Sequence, residues 1–253
     1  MSRHPTRQTI LITGASSGLG RGMAREFAAR GHDLALCARR TERLDELKAE
    51  LTARHPKLRI AVRALDVLDY GQVFEVFRSF RDEFGRLDRI IVNAGLGKGQ
   101  PLGTGYFHAN RKTAETNFVA ALAQCEAALE IFRAQNAGHL VVISSMSAMR
   151  GMPRNLTTYA ATKAGVAALA EGIRADLIGK PIRVSTIYPG YIRSEINEKV
   201  KKTPFMIDTE TGCRLLADAI DREPQSACVP RWPWMPLGFA MRHLPLALVA
   251  KMG

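Results

Sequence analysis

The sequence predicts a doubly wound α/β fold, a parallel β-sheet covered by helices on both faces. Three observations carry that expectation. Short runs rich in Val, Ile and Leu alternate with stretches of helical period along most of the chain. A glycine-rich turn, Thr13 to Gly20, joins the first apolar run to the first helical stretch. No linker, repeat or low-complexity segment interrupts the 253 residues, a length sufficient for one large core, so 1–253 is read as a single domain.

Taken in order, TILIT (9–13) has strand length, and Gly18 to Arg30 follows with helical spacing. DLALCA (33–38) is a strand and Glu42 to Arg54 an amphipathic helix. LRIAVRAL (58–65) and the helical pattern Gln72 to Phe84 form the next unit. RIIVN (89–93) is a buried strand, followed by one long helix over Ala109 to Ala134. HLVVIS (139–144), a helix over 157–178, and IRVSTIYP (182–189) complete the regular part. Beyond Gly190 the pattern loosens. Because ligands of open α/β sheets bind outside the carboxyl ends of strands, 190–220 is expected to carry a substrate lid, with a helix over Thr211 to Ile220. SACVP (226–230) reads as a last strand. Residues 1–6 are expected to be disordered, and the polar opening MSRHPTRQT lacks signal-peptide character, which predicts a cytoplasmic protein.

Apolar residues make up 46% of the chain and charged residues 24%, as in ordinary globular proteins. The four cysteines (37, 125, 213, 228) form no CxxC pair and no metal-ligand spacing; Cys37 and Cys125 fall in apolar runs and read as buried thiols in a reducing compartment. The net charge is +12, but Lys and Arg are dispersed, with no basic block interleaved with aromatics, so no nucleic-acid partner is expected.

The turn Thr13-Gly14-Ala15-Ser16-Ser17-Gly18-Leu19-Gly20 has the glycines needed for a tight bend and for close approach of backbone amides to a pyrophosphate at a helix N-terminus. Its spacing is TGxxxGxG rather than GxGxxG. At the end of the second strand, where a carboxylate would accept from a ribose 2′-hydroxyl, stand Arg39 and Arg40; two guanidinium groups suit a 2′-phosphate, so NADP(H) is expected rather than NAD. The alternative is that both merely open a solvated helix. Asp66 and Val67 after the third strand would meet adenine, or Asp66 would serve a turn. Asn93, Ala94 and Gly95 close the fourth strand with small residues and one amide able to tie strands together. Tyr159 and Lys163, four residues apart, share a helical face, and an ammonium near a phenol eases its ionisation. Ser144 and Ser145 end the preceding strand, and alternation points them to opposite faces.

TGASSGLG, Asp66-Val67, NAG (93–95), Ser145, YAATK and PGYIRS (189–194) come in the order found in the short-chain dehydrogenase/reductase family, which the chain resembles over roughly residues 7–230. The resemblance implies a Rossmann-type fold. It implies Tyr159 as general acid/base, Lys163 as the residue that lowers its pKa and holds the nicotinamide ribose, and Ser145 on the substrate oxygen. Asn117, in TAETNFVAA, matches the residue that orders a relay water; otherwise it is a solvent-facing helix residue. Pro189, Gly190, Ile192 and Ser194 match the loop at the nicotinamide end, and Arg39 the position that marks NADP-preferring members. Ser17 stands where some such members carry a basic residue. Fourteen positions separate Ser145 from Tyr159, one more than in many relatives, and the extra residue is placed in 154–158.

The expected chemistry is hydride transfer between NADPH and a carbonyl or alcohol, with a catalytically inactive NADP(H)-sensing protein, or an epimerase or dehydratase on the same fold, as alternatives. Leu96, Gly97, Met149, Met152, Tyr191 and Ile192 flank the site and suggest an apolar substrate, or simply packing. Residues 229–253 contain no Asp or Glu and carry Trp232, Trp234, Phe239, Arg231, Arg242 and Lys251. Pro233, Pro236 and Pro245 interrupt this run, which is too short to span a bilayer, so it packs on its own domain or a subunit, or lies on an anionic membrane surface. The resemblance also implies a homodimer or homotetramer formed through the helices near 109–134 and 157–178, whose Ala161, Ala164, Ala167, Ala168 and Ala170 would allow close approach.

Overall fold

A computed structural model describes residues 8–97, 99–195 and 204–250. Residues 1–6, Lys251 and the stretch 196–203 of the expected lid lie outside the described residues. Seven parallel strands, β1 (Thr9–Thr13), β2 (Asp33–Ala38), β3 (Ile60–Ala64), β4 (Arg89–Val92), β5 (Gly138–Ile143), β6 (Ile182–Pro189) and β7 (Ser226–Val229), form one sheet in the order β3-β2-β1-β4-β5-β6-β7. The chain winds outward from β1 to β3, then returns to start β4 on the other side of β1. That reversal opens a crevice at the carboxyl ends of β1 and β4, the usual ligand position in a Rossmann-type sheet.

The strands are apolar on both sides because each face is covered. Ile10, Ile12, Leu34, Leu36, Ile91, Val141 and Ile143 pack on one face with Met23 and Phe27 of α1 (Gly18–Ala29), Leu44, Leu47 and Leu51 of α2 (Thr41–Arg54), and Leu216 of α7 (Thr209–Asp221). Leu11, Ile90, Val92, Leu140 and Val142 point the other way, against Phe77 and Phe80 of α3 (Tyr70–Phe84), Phe132 of α5 (Ala120–Gln135) and Val166 of α6 (Thr157–Asp176). Successive residues of one strand thus enter opposite cores, as the pleat requires.

One expectation is corrected. The single helix over 109–134 is α4 (Phe107–Ala114) and α5 joined by a π-helical turn, Glu115–Val119, in which one extra residue is accommodated and Asn117 faces inward, 1% exposed. The expected buried strand RIIVN takes a charged first residue with it: Arg89 is 2% exposed, its Nη1 2.6 Å from Asp221 Oδ1 and its Nε donating to His139 Nδ1 at 2.9 Å. A buried guanidinium is tolerable because it is paired.

The last segment is structured. After β7 come α8 (Arg231–His243), whose backbone departs from helix at Trp232, and α9 (Leu246–Val249). Trp234, Gly238 and Met241 turn inward, and Val249 joins Met152, Ala160 and Met241 in a small core. Trp232, Met235, Phe239 and Leu246 remain exposed. No helix among the described residues is long and apolar enough to cross a membrane.

Candidate active site

Close packing at the crevice explains the glycines. Gly14 has φ +67°, and a Cβ there would lie 3.0 Å from Ala94 Cα. A Cβ on Gly20 would lie 2.3 Å from the Gly14 carbonyl oxygen and 2.7 Å from Asn93 Nδ2. The turn is held by a clasp between β1 and β4: Asn93 Nδ2 donates to the Thr13 carbonyl (2.9 Å), while the backbone amides of Asn93 and Ala94 donate to Thr13 Oγ1 at 3.0 and 3.1 Å. Asn93 is therefore the strand tie anticipated from its amide. The glycine turn, open on its outer side and leading into α1, is a backbone cradle of the kind a pyrophosphate needs. Ser16, Ser17, Gly18 and Leu19 line it, and Ser194 lies opposite, its Cβ 3.5 Å from where a Gly18 Cβ would stand.

At the end of β2, Arg40 rather than Arg39 reaches the turn. Its Nη2 donates to Ser17 Oγ at 2.6 Å and its Nε to Ser16 Oγ at 3.3 Å, and both Nη atoms lie 3.2 Å from Glu195 Oε2. Arg39 is exposed. Asp66 takes the turn role: Oδ1 accepts from the Leu68 amide at 3.1 Å, and Val67 is buried beside it. These groups, a glycine cradle with the Arg40 guanidinium and two hydroxyls beside it, fit a nicotinamide dinucleotide.

Around the start of α6 the polar residues converge. Ser144 and Ser145 point apart as expected: buried Ser144 Oγ donates to the Lys163 carbonyl at 2.7 Å, while Ser145 Oγ accepts from the Ser147 amide at 3.1 Å and lies near enough to the Tyr159 phenol to lower its pKa. Lys163 is 7% exposed, with Nζ donating to the Ile143 carbonyl at 2.9 Å, and burial lowers its pKa to about 8. Burial pushes the Tyr159 phenol above its ordinary value; Ser145 pulls it down in part, and nearby Tyr191 adds to the rise. The sequence leads one to expect a phenol lowered by Lys163. Desolvation instead dominates, and the group that pulls the phenol down is Ser145. Asn117 is no solvent-facing residue: Oδ1 accepts from the Leu96 amide (2.7 Å) and Nδ2 donates to the Leu96 carbonyl (2.8 Å). A Cβ on Gly95 would lie 3.1 Å from Asn117 Oδ1 and 3.6 Å from Lys163 Nζ, so Asn117, Gly95 and Lys163 share one small space.

The segment after β6 closes the far side. Pro189 ends the strand, Gly190 donates its amide to the Val229 carbonyl at 2.8 Å, and Ile192 pairs with Ile207 and is buried in the core. Gly190 is needed because a Cβ there would lie 2.1 Å from Trp234 Nε1. Trp234 stacks edge-on to Tyr191 at 5.4 Å between centroids. Of the flanking apolar residues, Met149, Met152 and Ile192 are packing residues, whereas Tyr191 borders the Tyr159 phenol. Sequence reasoning missed Trp234 against the Gly190 loop, Thr162 3.4 Å from Asn117 Nδ2, and Glu195 on Arg40. Only Trp234 carried a signal, as a Trp in a proline-interrupted apolar tail.

A glycine cradle at the sheet's switch point beside half-buried Ser145 and Tyr159 and buried Lys163 and Asn117 is the arrangement of a dehydrogenase type of site, and the short chain dehydrogenase family model matches residues 8–204. The chain belongs to that family and is an oxidoreductase of the kind that uses nicotinamide cofactors on small molecules. An uncharacterized oxidoreductase of Mycobacterium tuberculosis is 55% identical over 246 residues, 97% of each chain. Among solved structures, the closed form of serine dehydrogenase complexed with NADP+ is 26% identical, with a TM-score of 0.74 over 84% of this chain and 87% of that one. A short chain dehydrogenase/reductase from Burkholderia phymatum in complex with NAD superposes with a TM-score of 0.83 at 20% identity, covering 99% of this chain and 97% of that one, and shares the fold.

Proposed function

We propose that this chain is an NADPH-dependent carbonyl reductase or alcohol dehydrogenase acting on an apolar substrate, working as one domain in a cytoplasmic setting. The observation that carries the reading is the convergence of Tyr159, beside Ser145, with buried Lys163 and Asn117 at the mouth of the glycine cradle. The bound cofactor would supply the hydride. Gly14, Ser16, Ser17, Gly18, Leu19 and Gly20 would receive its pyrophosphate, Arg39 and Arg40 its 2′-phosphate, and Asp66 and Val67 its adenine. Ala94, Gly95, Pro189, Gly190, Ile192 and Ser194 would border its nicotinamide half. Asn93 acts on the cradle through its clasp.

Tyr159, kept protonated by its raised pKa, is suited to giving its Oη proton to a carbonyl oxygen as charge develops there. Ser145 donates a second hydrogen bond to the same oxygen, stabilising it in the transition state. Lys163 holds an ammonium at neutral pH that would bind the cofactor ribose, and Asn117 fixes the Leu96 backbone. Tyr191 and Trp234 make the substrate side aromatic. The complete polar group favours turnover over nucleotide sensing, which requires only the cradle. Tyr159→Phe should abolish NADPH oxidation against a panel of ketones, aldehydes, steroids and lipid-like carbonyls while leaving NADPH binding intact. Near-normal turnover in that variant would remove Tyr159 from the mechanism, and retained cofactor without net NADPH consumption would indicate isomerisation.

Two finer features belong to the same reading. Ala161, Ala164 and Ala168 lie exposed on α6, and Phe118, Val119 and Leu122 are exposed on the π turn and α5, which suits helix-to-helix association into a homodimer or homotetramer. The outward residues Trp232 and Phe239, 78% and 69% exposed in a segment free of acidic residues, favour peripheral contact with an anionic membrane as a second use of the tail. Substituting both by Ser should abolish sedimentation with anionic vesicles; an unaltered protein that does not sediment discards this use.

A further inference from the structure

Glu195 stands where an anion is needed. It lies on the segment after β6, next to Ser194, which faces Gly18 of the cradle. One carboxylate oxygen, Oε2, is 3.2 Å from both Nη1 and Nη2 of Arg40; the other, Oε1, is 2.5 Å from Arg43 Nη1. Arg40 in turn rests on the Ser16 and Ser17 hydroxyls. Two guanidiniums, two hydroxyls and one oxyanion form the charge-assisted set by which proteins hold a phosphate monoester. Here a carboxylate of the same chain supplies the oxyanion, across more than 150 residues of sequence.

We propose that Glu195 is a specificity-determining residue that occupies the seat of the cofactor's 2′-phosphate and must be displaced by it. This rests on the NADPH reading above. A 2′-phosphate arriving at Arg40 meets a like charge already in place, so Glu195 and the phosphate compete for the same guanidinium. Displacement removes the ion-pair tie between 190–195 and the start of α2, loosening the segment that carries Gly190 and Ile192. A nucleotide with a free 2′-hydroxyl leaves the tie intact. The protein thereby distinguishes the two nucleotides twice, once by affinity and once by the state of the loop beyond β6.

The test uses 2′,5′-ADP and 5′-ADP, which differ only in the 2′-phosphate, with calorimetry on the full chain. Glu195→Gln keeps the shape and removes the charge. It should tighten 2′,5′-ADP about fivefold, as expected for exposed pairs, leave 5′-ADP unchanged, and lose its effect in an Arg40→Ala background. In the unaltered protein 2′,5′-ADP, but not 5′-ADP, should speed amide hydrogen exchange in 190–195. If the unaltered protein prefers 2′,5′-ADP through Arg40 but Glu195→Gln binds it no more tightly, the competition is overturned and the NADPH reading stands. If neither protein distinguishes the nucleotides, both are overturned. If Glu195→Gln instead weakens 5′-ADP, the carboxylate is an acceptor for a ribose hydroxyl, and the competition is likewise overturned.

Discussion

Replacing Lys163 by Met should cost all turnover and yet make stability less dependent on pH. The ammonium is 7% exposed and holds one carbonyl, that of Ile143, at 2.9 Å. Burial moves its pKa from 10.5 to about 8. That displacement corresponds to about 3 kcal/mol. Between about pH 8 and 10.5 the unfolded chain binds the Lys163 proton while the folded protein has released it, so stability rises with pH across that window. Below it both states carry the charge, and the folded state bears the full desolvation cost. Met, close in volume, cannot titrate; the Ile143 carbonyl it leaves without a donor costs about 1 kcal/mol at every pH. The stability of the variant relative to the unaltered protein should therefore fall by about 3 kcal/mol as pH rises through the window. Urea unfolding of both proteins at closely spaced pH values measures this directly, since groups other than Lys163 cancel in the difference. Parallel stability profiles would refute the argument that Lys163 is held charged against a dry surround.

Other substitutions separate the glycine cradle from the polar group around Asn117. Gly20→Ala places a methyl 2.3 Å from the Gly14 carbonyl oxygen and 2.7 Å from Asn93 Nδ2, so the turn must move; a loss of about 1–3 kcal/mol in thermal unfolding, with weaker ADP binding, is expected. An unchanged melting temperature would mean that the turn yields freely. Asn117→Ala leaves both backbone groups of Leu96 without their partners and should cost about 1–3 kcal/mol, with turnover lost while ADP binding is largely kept. Retained turnover in a folded Asn117→Ala protein would confine Asn117 to structure.

The alternation of buried runs and helical stretches made the sheet legible, because two covered faces demand apolar residues at every strand position, and Ile10, Leu11 and Ile12 serve both cores at once. The glycine turn was legible because tight backbone contacts leave only glycine at Gly14 and Gly20. What could not be read were partnerships at long sequence separation. Arg89 in a buried strand resembles an error until Asp221 and His139 are beside it. Glu195 is one carboxylate in a charged stretch until Arg40 and Arg43 face it. The choice between Arg39 and Arg40 was likewise closed to composition, since strand-end geometry decides which side chain bends back over the turn. Tyr159 and Lys163 were found by spacing, but the direction of the phenol's shift depends on how dry its surroundings are, and no spacing encodes that.

The π turn at Glu115–Val119 gives Asn117 its position by count as much as by identity. An α-helix advances each residue by about 100°, and a π turn absorbs one residue beyond the regular repeat. Removing Glu115 or Thr116 would restore a regular helix and swing Asn117 off Leu96, although Asn117, Ser145, Tyr159 and Lys163 all remained encoded. The exposed pair Phe118 and Val119 would turn with it. One inserted residue thus links the interior of the site to the outer face of the same helix, so that a change in length here would alter chemistry and association together, where a change of side chain would alter only one.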